Sequence, residues 1–131
     1  MSDVVELSLP VRADLVVLAR LTAATIASRA GFGVEEIEDL RLAVDELCLS
    51  LVGGDSSGRL LLEYSRNNDV IEISCTYQPD PAAAAGSAQA GPSESDLSVR
   101  ILEALVDEHG RDTGEGQSRA WLRKRRVHSA V

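Results

Sequence analysis

Four positions on one predicted helix set the chemical question for this chain. Asp39, Ala43, Glu46 and Ser50 are spaced by four, three and four residues, so they stack on successive turns of a single helix face. That face carries two carboxylates and one small hydroxyl, groups that accept protons, hold cations or donate a hydrogen bond. Taken on periodicity alone, it is the solvated face of a surface helix. The helix itself is dictated by the neighbouring stripe, where Ile37, Leu40, Val44, Leu47 and Leu51 recur at alternating steps of three and four. Acidic residues gather in its first turns and Gly53-Gly54 follow its end, as the helix dipole and the C-terminal signals require. The spacing predicts a helix over 34–52.

The rest of the chain must position that helix. Its 131 residues fit one domain, 1–131, with 44% hydrophobic and 26% charged residues, an ordinary globular balance. Aromatic residues make up only 3%, so the core has to be aliphatic. The N-terminus carries Asp3 and Glu6 and lacks an apolar run of secretory type, and no apolar run is long enough to span a bilayer, so a cytoplasmic protein without a signal peptide is expected. A net charge of −8 argues against nucleic-acid binding, because phosphates would be repelled, and suits a partner with basic surfaces. Cys48 and Cys75 lack metal-ligand spacing and read as small buried hydrophobes. His109 and His128 stand apart from any cysteine or paired acid, and no metal site is expected.

In chain order, Val5, Leu7 and Leu9 alternate with polar residues in a first strand that stops at Pro10. A helix over 13–29 follows, with Leu15, Leu18, Thr22 and Ile26 as its inward stripe, and Phe32 plugs the core between Gly31 and Gly33. Leu60, Leu62 and Tyr64 alternate, Asn67-Asn68-Asp69 turns the chain, and Ile71, Ile73, Cys75 and Tyr77 return antiparallel. Glu63, Glu72 and Ser74 fall on the other side of these strands. Residues 79–95, rich in Pro, Ala, Gly and Ser, bury too little to be anything but a mobile loop. An amphipathic helix from Leu97 to about Glu108, with Leu97, Ile101, Ala104 and Leu105 inward, leads into two closing strands. The last strand ends in a basic tail, 123–131, whose run Arg123 to Arg126 reads as the solubilising end of an edge strand. This order gives an α+β fold, a two-layer sandwich with about three helices on one face of a mainly antiparallel sheet.

The wording of the central helix is more specific than its period. Leu40-Arg41-Leu42-Ala43-Val44-Asp45-Glu46 resembles the N-box helix of the GHKL ATPases, in particular the RsbW-like anti-sigma regulatory factors with serine-kinase activity. The resemblance runs from about residue 5 to 126, and it implies the GHKL, histidine-kinase-type ATPase fold, with residues 79–95 as a lid. It makes Glu46 the general base, and Ser50 stands where the family has the Asn that helps hold Mg²⁺ with the nucleotide. No D-x-G-x-G follows the strand ending near Cys75, where an Asp should reach adenine; the chain reads Thr76-Tyr77-Gln78-Pro79-Asp80-Pro81. Where the family has G-x-G-x for the phosphates, this chain has Asp96-Leu97-Ser98-Val99, so Asp96 and Ser98 stand as degenerate nucleotide positions.

Three functions follow from the resemblance and its departures. The first is an anti-sigma factor of the stress-response type, a possible homodimer. It sequesters an alternative sigma factor and exchanges it for an anti-anti-sigma factor of the STAS type, with no ATP cofactor expected. The second is an active serine/threonine kinase acting on the anti-anti-sigma factor, with Glu46 as base and Mg-ATP bound through Ser50 and the loop. The third is an interaction domain unrelated to sigma factors. The resemblance further implies that the first helix contacts the sigma factor and that Arg20 is its partner-binding residue; on the residues alone Arg20 is a solvated helix charge.

Overall fold

The computed structural model describes residues 3–52, 57–80, 96–114 and 117–127. Most of the expected 79–95 loop, Gly53-Gly54, Gly116 and His128 lie outside the described residues. The elements are β1 (Val4–Pro10), α1 (Ala13–Arg29), α2 (Val34–Val52), β2 (Arg59–Asn67), β3 (Val70–Gln78), α3 (Asp96–Leu105), β4 (Glu108–Gly114) and β5 (Gln117–Arg125). The five strands form one sheet in the order β1-β2-β3-β5-β4, every neighbouring pair antiparallel. This is the expected α+β sandwich. No helix among the described residues is long and apolar enough to cross a membrane.

Strand alternation decides what the sheet offers the helices. Leu9, Leu60, Leu62, Tyr64, Ile71, Ile73, Cys75, Tyr77, Ala120 and Leu122 share one face and join α2's Leu40, Val44, Leu47 and Leu51 in a single core. Those four α2 residues are fully buried, and Ile37 packs against the core from its edge. Asn68, at a left-handed φ of 56°, makes the tight connection between β2 and β3. Tyr64 crosses the core to donate its hydroxyl to the Ala19 carbonyl of α1 at 3.0 Å, and burial pushes its phenol far above the ordinary range. Cys48 and Cys75 are buried as expected, with their sulfurs 3.9 Å apart. That contact, with burial behind it, holds the Cys75 thiol protonated well above the usual thiol range.

Local signals set the helix ends. Gly31, at φ 85°, lets α1 stop and the Phe32 N–H close on the Ala27 carbonyl at 3.0 Å, which swings Phe32 into the core. Gly33 and Glu36 then open α2 reciprocally. The Gly33 N–H donates to Glu36 Oε1 at 2.8 Å, and the Gly33 carbonyl accepts from the Ile37 N–H at 2.9 Å.

Three expectations need correction. Of the stripe expected on α1, Leu15 and Ile26 do pack against the core, but the fully buried residues are Ala19, Ala23 and Ala27, and Leu18 is 40% exposed. Alanines belong there because α1 lies against α2, and only small side chains let two helix backbones come close. In α3 Leu105 packs against the core as expected, but the buried residues are Ser98 and Leu102, Leu97 is 68% exposed, and the helix ends at Leu105, with β4 beginning at Glu108. The basic run does not end an edge strand, since β5 lies between β3 and β4. Arg123 pairs with Glu72 and Glu108, and Arg126 with Asp69 at 3.0 Å. Arg123 also stacks over the Trp121 ring at 4.7 Å. That ring lies so close to Gly110 that a Cβ there would sit 2.5 Å from it. Ser74, opposite Trp121 in the register, is also buried although it is on the outer face.

Placing a carboxylate on the buried α2 stripe tests this assignment. Val44→Asp should cost about 4 kcal/mol or more, the penalty of an unpaired buried charge. A urea melt that matched the parent would show that the stripe had been assigned to the wrong face.

Candidate functional site on helix α2

The polar face of α2 is in place, and its groups are engaged from within the chain. Glu46 accepts a short hydrogen bond from the Ser98 hydroxyl in the first turn of α3. One turn further on, Ser50 directs its hydroxyl back to the Leu47 carbonyl at 2.9 Å. The Ser50 carbonyl accepts from Arg111 Nη2 of β4 at 2.8 Å. At the other end of the face, Asp39 lies 3.8 Å from Lys124 Nζ of β5. Lys124 also donates to the Leu105 carbonyl, at the C-terminal end of α3, at 2.6 Å. Lys124 is nearly buried, at 9% exposure, because it continues the inward alternation of Ala120 and Leu122.

Three of the five candidate residues thus lie on the side of α2 that meets α3. Glu46 and Ser98 touch and Ser50 follows on the same face, whereas Asp96, two residues before Ser98, is exposed at the start of α3. Asp96 makes no ion pair with the described residues; as the one acid in the first turn it complements the helix dipole. Arg111 and Lys124 escaped the sequence reading, which weighed the strands by their apolar residues alone. Their signal was strand parity, since Arg111 is opposite Ala120 and Lys124 is two residues after Leu122.

The inward position at the end of β3 is filled by Tyr77, which the register sets opposite Leu60 and Ser118. Its hydroxyl donates to the Ser57 carbonyl at 2.8 Å. Gly58 is held at φ 100° beneath it, where a Cβ would fall 2.4 Å from the Gln78 carbonyl oxygen and 3.1 Å from the tyrosine ring. This is the end of the strand after which the resemblance places an adenine-binding Asp.

Arg20, the fifth candidate, lies on the opposite flank of α2. Its Nε stands 3.1 Å from Asp45 Oδ1, with each side chain about one-third exposed (33% and 31%). The contact is a charge pairing without hydrogen-bond alignment, for the buried Arg20 Nε has no acceptor in line among the described residues. Burial raises the Asp45 carboxyl above its ordinary value, outweighing the attraction of Arg20 and then Arg41, and the Glu46 carboxylate adds to the rise.

Comparison with known proteins bears on this arrangement. Over 77 residues the chain is 40% identical to the serine-protein kinase RsbW of Listeria innocua, a match covering 56% of this chain and 49% of that protein. It is 30% identical over 122 residues to the serine-protein kinase RsbW of Bacillus subtilis, covering 82% of this chain and 76% of its relative. The chain thus spans about half the length of the Listeria relative and three quarters of the Bacillus one. Among solved structures it is similar to the RsbU and RsbW domains of a Mycobacterium tuberculosis protein, with a TM-score of 0.68 at 18% identity, over 98% of this chain and 34% of that one. No protein-family model matches.

The contacts at the ends of α2 and α3 have a measurable weight. Lys124→Met keeps the length of the side chain and removes the charge that meets Leu105 and Asp39. It should cost about 2 kcal/mol in urea unfolding, the range of a hydrogen bond made by a charged group. Arg125→Met, one residue on and exposed, should stay within about 0.5 kcal/mol of the parent. Equal effects at the two positions would deny Lys124 its role.

Proposed function

This chain belongs to the RsbW-like family, and from that premise we propose that it is an anti-sigma factor working by direct binding in the cytoplasm. It sequesters an alternative sigma factor, and a STAS-type anti-anti-sigma factor releases it by exchange of partners. The exchange needs only that each partner bind one state better than the other, with no phosphoryl transfer.

The observation that carries this reading is the engagement of Glu46 by Ser98. A general base has to meet the proton it abstracts, and this carboxylate already accepts a hydrogen bond from a hydroxyl of its own chain. The neighbouring positions agree with it. Ser50 turns its hydroxyl onto its own helix, Asp96 adds negative charge where phosphates would approach, and Tyr77 occupies the end of β3. These residues do not fit a bound Mg-ATP. The kinase reading stays as the second, favoured by the printed names of the relatives and by the place of Glu46 on the N-box helix.

A thermal-shift titration separates the two. With the proposed function, Mg-ATP leaves the melting temperature unchanged. Nucleotide at about 100 times its dissociation constant would instead stabilise the domain by roughly 2.7 kcal/mol. A dose-dependent rise of several degrees that is lost in Glu46→Ala would overturn the nucleotide-free reading and promote the kinase.

A further inference from the structure

The ion pair between Arg20 and Asp45 stands in an apolar setting on the solvent side of α1 and α2. Leu21, next to Arg20, is 50% exposed; Leu42 and Leu49, which flank Asp45 two turns apart on α2, are 56% and 60% exposed. Helical spacing puts Leu42, Asp45 and Leu49 on one face, and the ion pair places Arg20 beside it, with Leu21 about 100° further round α1. The surface fits an amphipathic segment whose apolar side chains cover the leucines and whose carboxylate meets the guanidinium.

We propose that Asp45 is a built-in competitor for that carboxylate, so that the bound partner must take Arg20 away from it. The geometry favours exchange over a fixed pair. Arg20 Nε and Asp45 Oδ1 are close at 3.1 Å, yet no hydrogen bond aligns, and both side chains remain about one-third exposed. Arg41, the other arginine beside Asp45, is drawn to Glu38 at 2.9 Å. A partner carboxylate seated in line with the guanidinium therefore displaces a poorly aligned contact, and Asp45 both opposes its approach by like charge and holds its target. Asp45 thereby lowers affinity and leaves room for one partner to be traded for another.

This inference rests on the sigma-binding reading, and the test keeps the two apart. The probe is the purified sigma factor that the full chain retains when its host's alternative sigma factors are screened one by one. Calorimetric titration is run on the parent, Arg20→Ala, Asp45→Asn and the double variant, with urea melts confirming that each is folded; Arg20→Gln replaces Arg20→Ala if that variant fails to fold. Arg20→Ala should weaken binding at least tenfold. Asp45→Asn should tighten it by about fivefold, the scale of one exposed ion pair, and should have no effect once Arg20 is gone. Asp45→Asn binding no better than the parent, with Arg20→Ala still weak, would overturn the competitor role alone. Full affinity in Arg20→Ala would remove this surface from the interface, and retention of no sigma factor would overturn the binding reading together with the inference.

Discussion

Helix α2 has to bury one face in aliphatic side chains and, a quarter turn away, satisfy carboxylates and end carbonyls that cannot follow into the core. Everything around it answers this double demand. The sheet supplies the apolar partners through Leu62, Ile73, Cys75 and Leu122, while Ser98, Arg111 and Lys124 meet the polar groups at Glu46, Ser50 and Asp39. A buried polar group left unpaired costs about as much as a core cavity, so these contacts are conditions of the fold as well as features of a site.

The two cations have a common logic. Neither α2 nor α3 has a basic residue in its last turn, where a positive charge would offset the helix dipole and the unpaired carbonyls. Arg111 reaches the Ser50 carbonyl and Lys124 the Leu105 carbonyl, so the sheet caps both helices from below. Residues that terminate helices in this way occupy space between the layers.

The parts legible in the sequence are those fixed by local pattern. The Leu40–Val44–Leu47–Leu51 stripe, the Asn68 turn and the alternation of β2 and β3 all follow from spacing within a few residues. The α1 stripe was misjudged because size was weighed over contact: Ala19, Ala23 and Ala27 are inward since α1 meets another helix, which no property of α1 alone reveals. In α3 the buried pair is Ser98 and Leu102, one turn apart, and a serine carries no apolar signal for that face; the carboxylate that receives its hydroxyl, Glu46, lies 52 residues earlier. The basic run was misplaced because the position of β5 inside the sheet depends on pairing with β3, which is distant in sequence. At the site, the family resemblance marked Glu46, Ser50, Asp96 and Ser98, and the partners that engage Glu46 and Ser50 had to come from the fold.

The central claim is that the α2 face is completed from within and that partner binding proceeds without nucleotide. Its most direct test is the affinity of the chain for its sigma factor, measured by calorimetric titration with and without saturating Mg-ATP. The account predicts the same dissociation constant in both conditions. A change of tenfold or more on adding nucleotide would contradict it, because only a ligand bound to this chain or its partner can shift that equilibrium, and Mg-ATP added to the sigma factor alone shows which of the two it is.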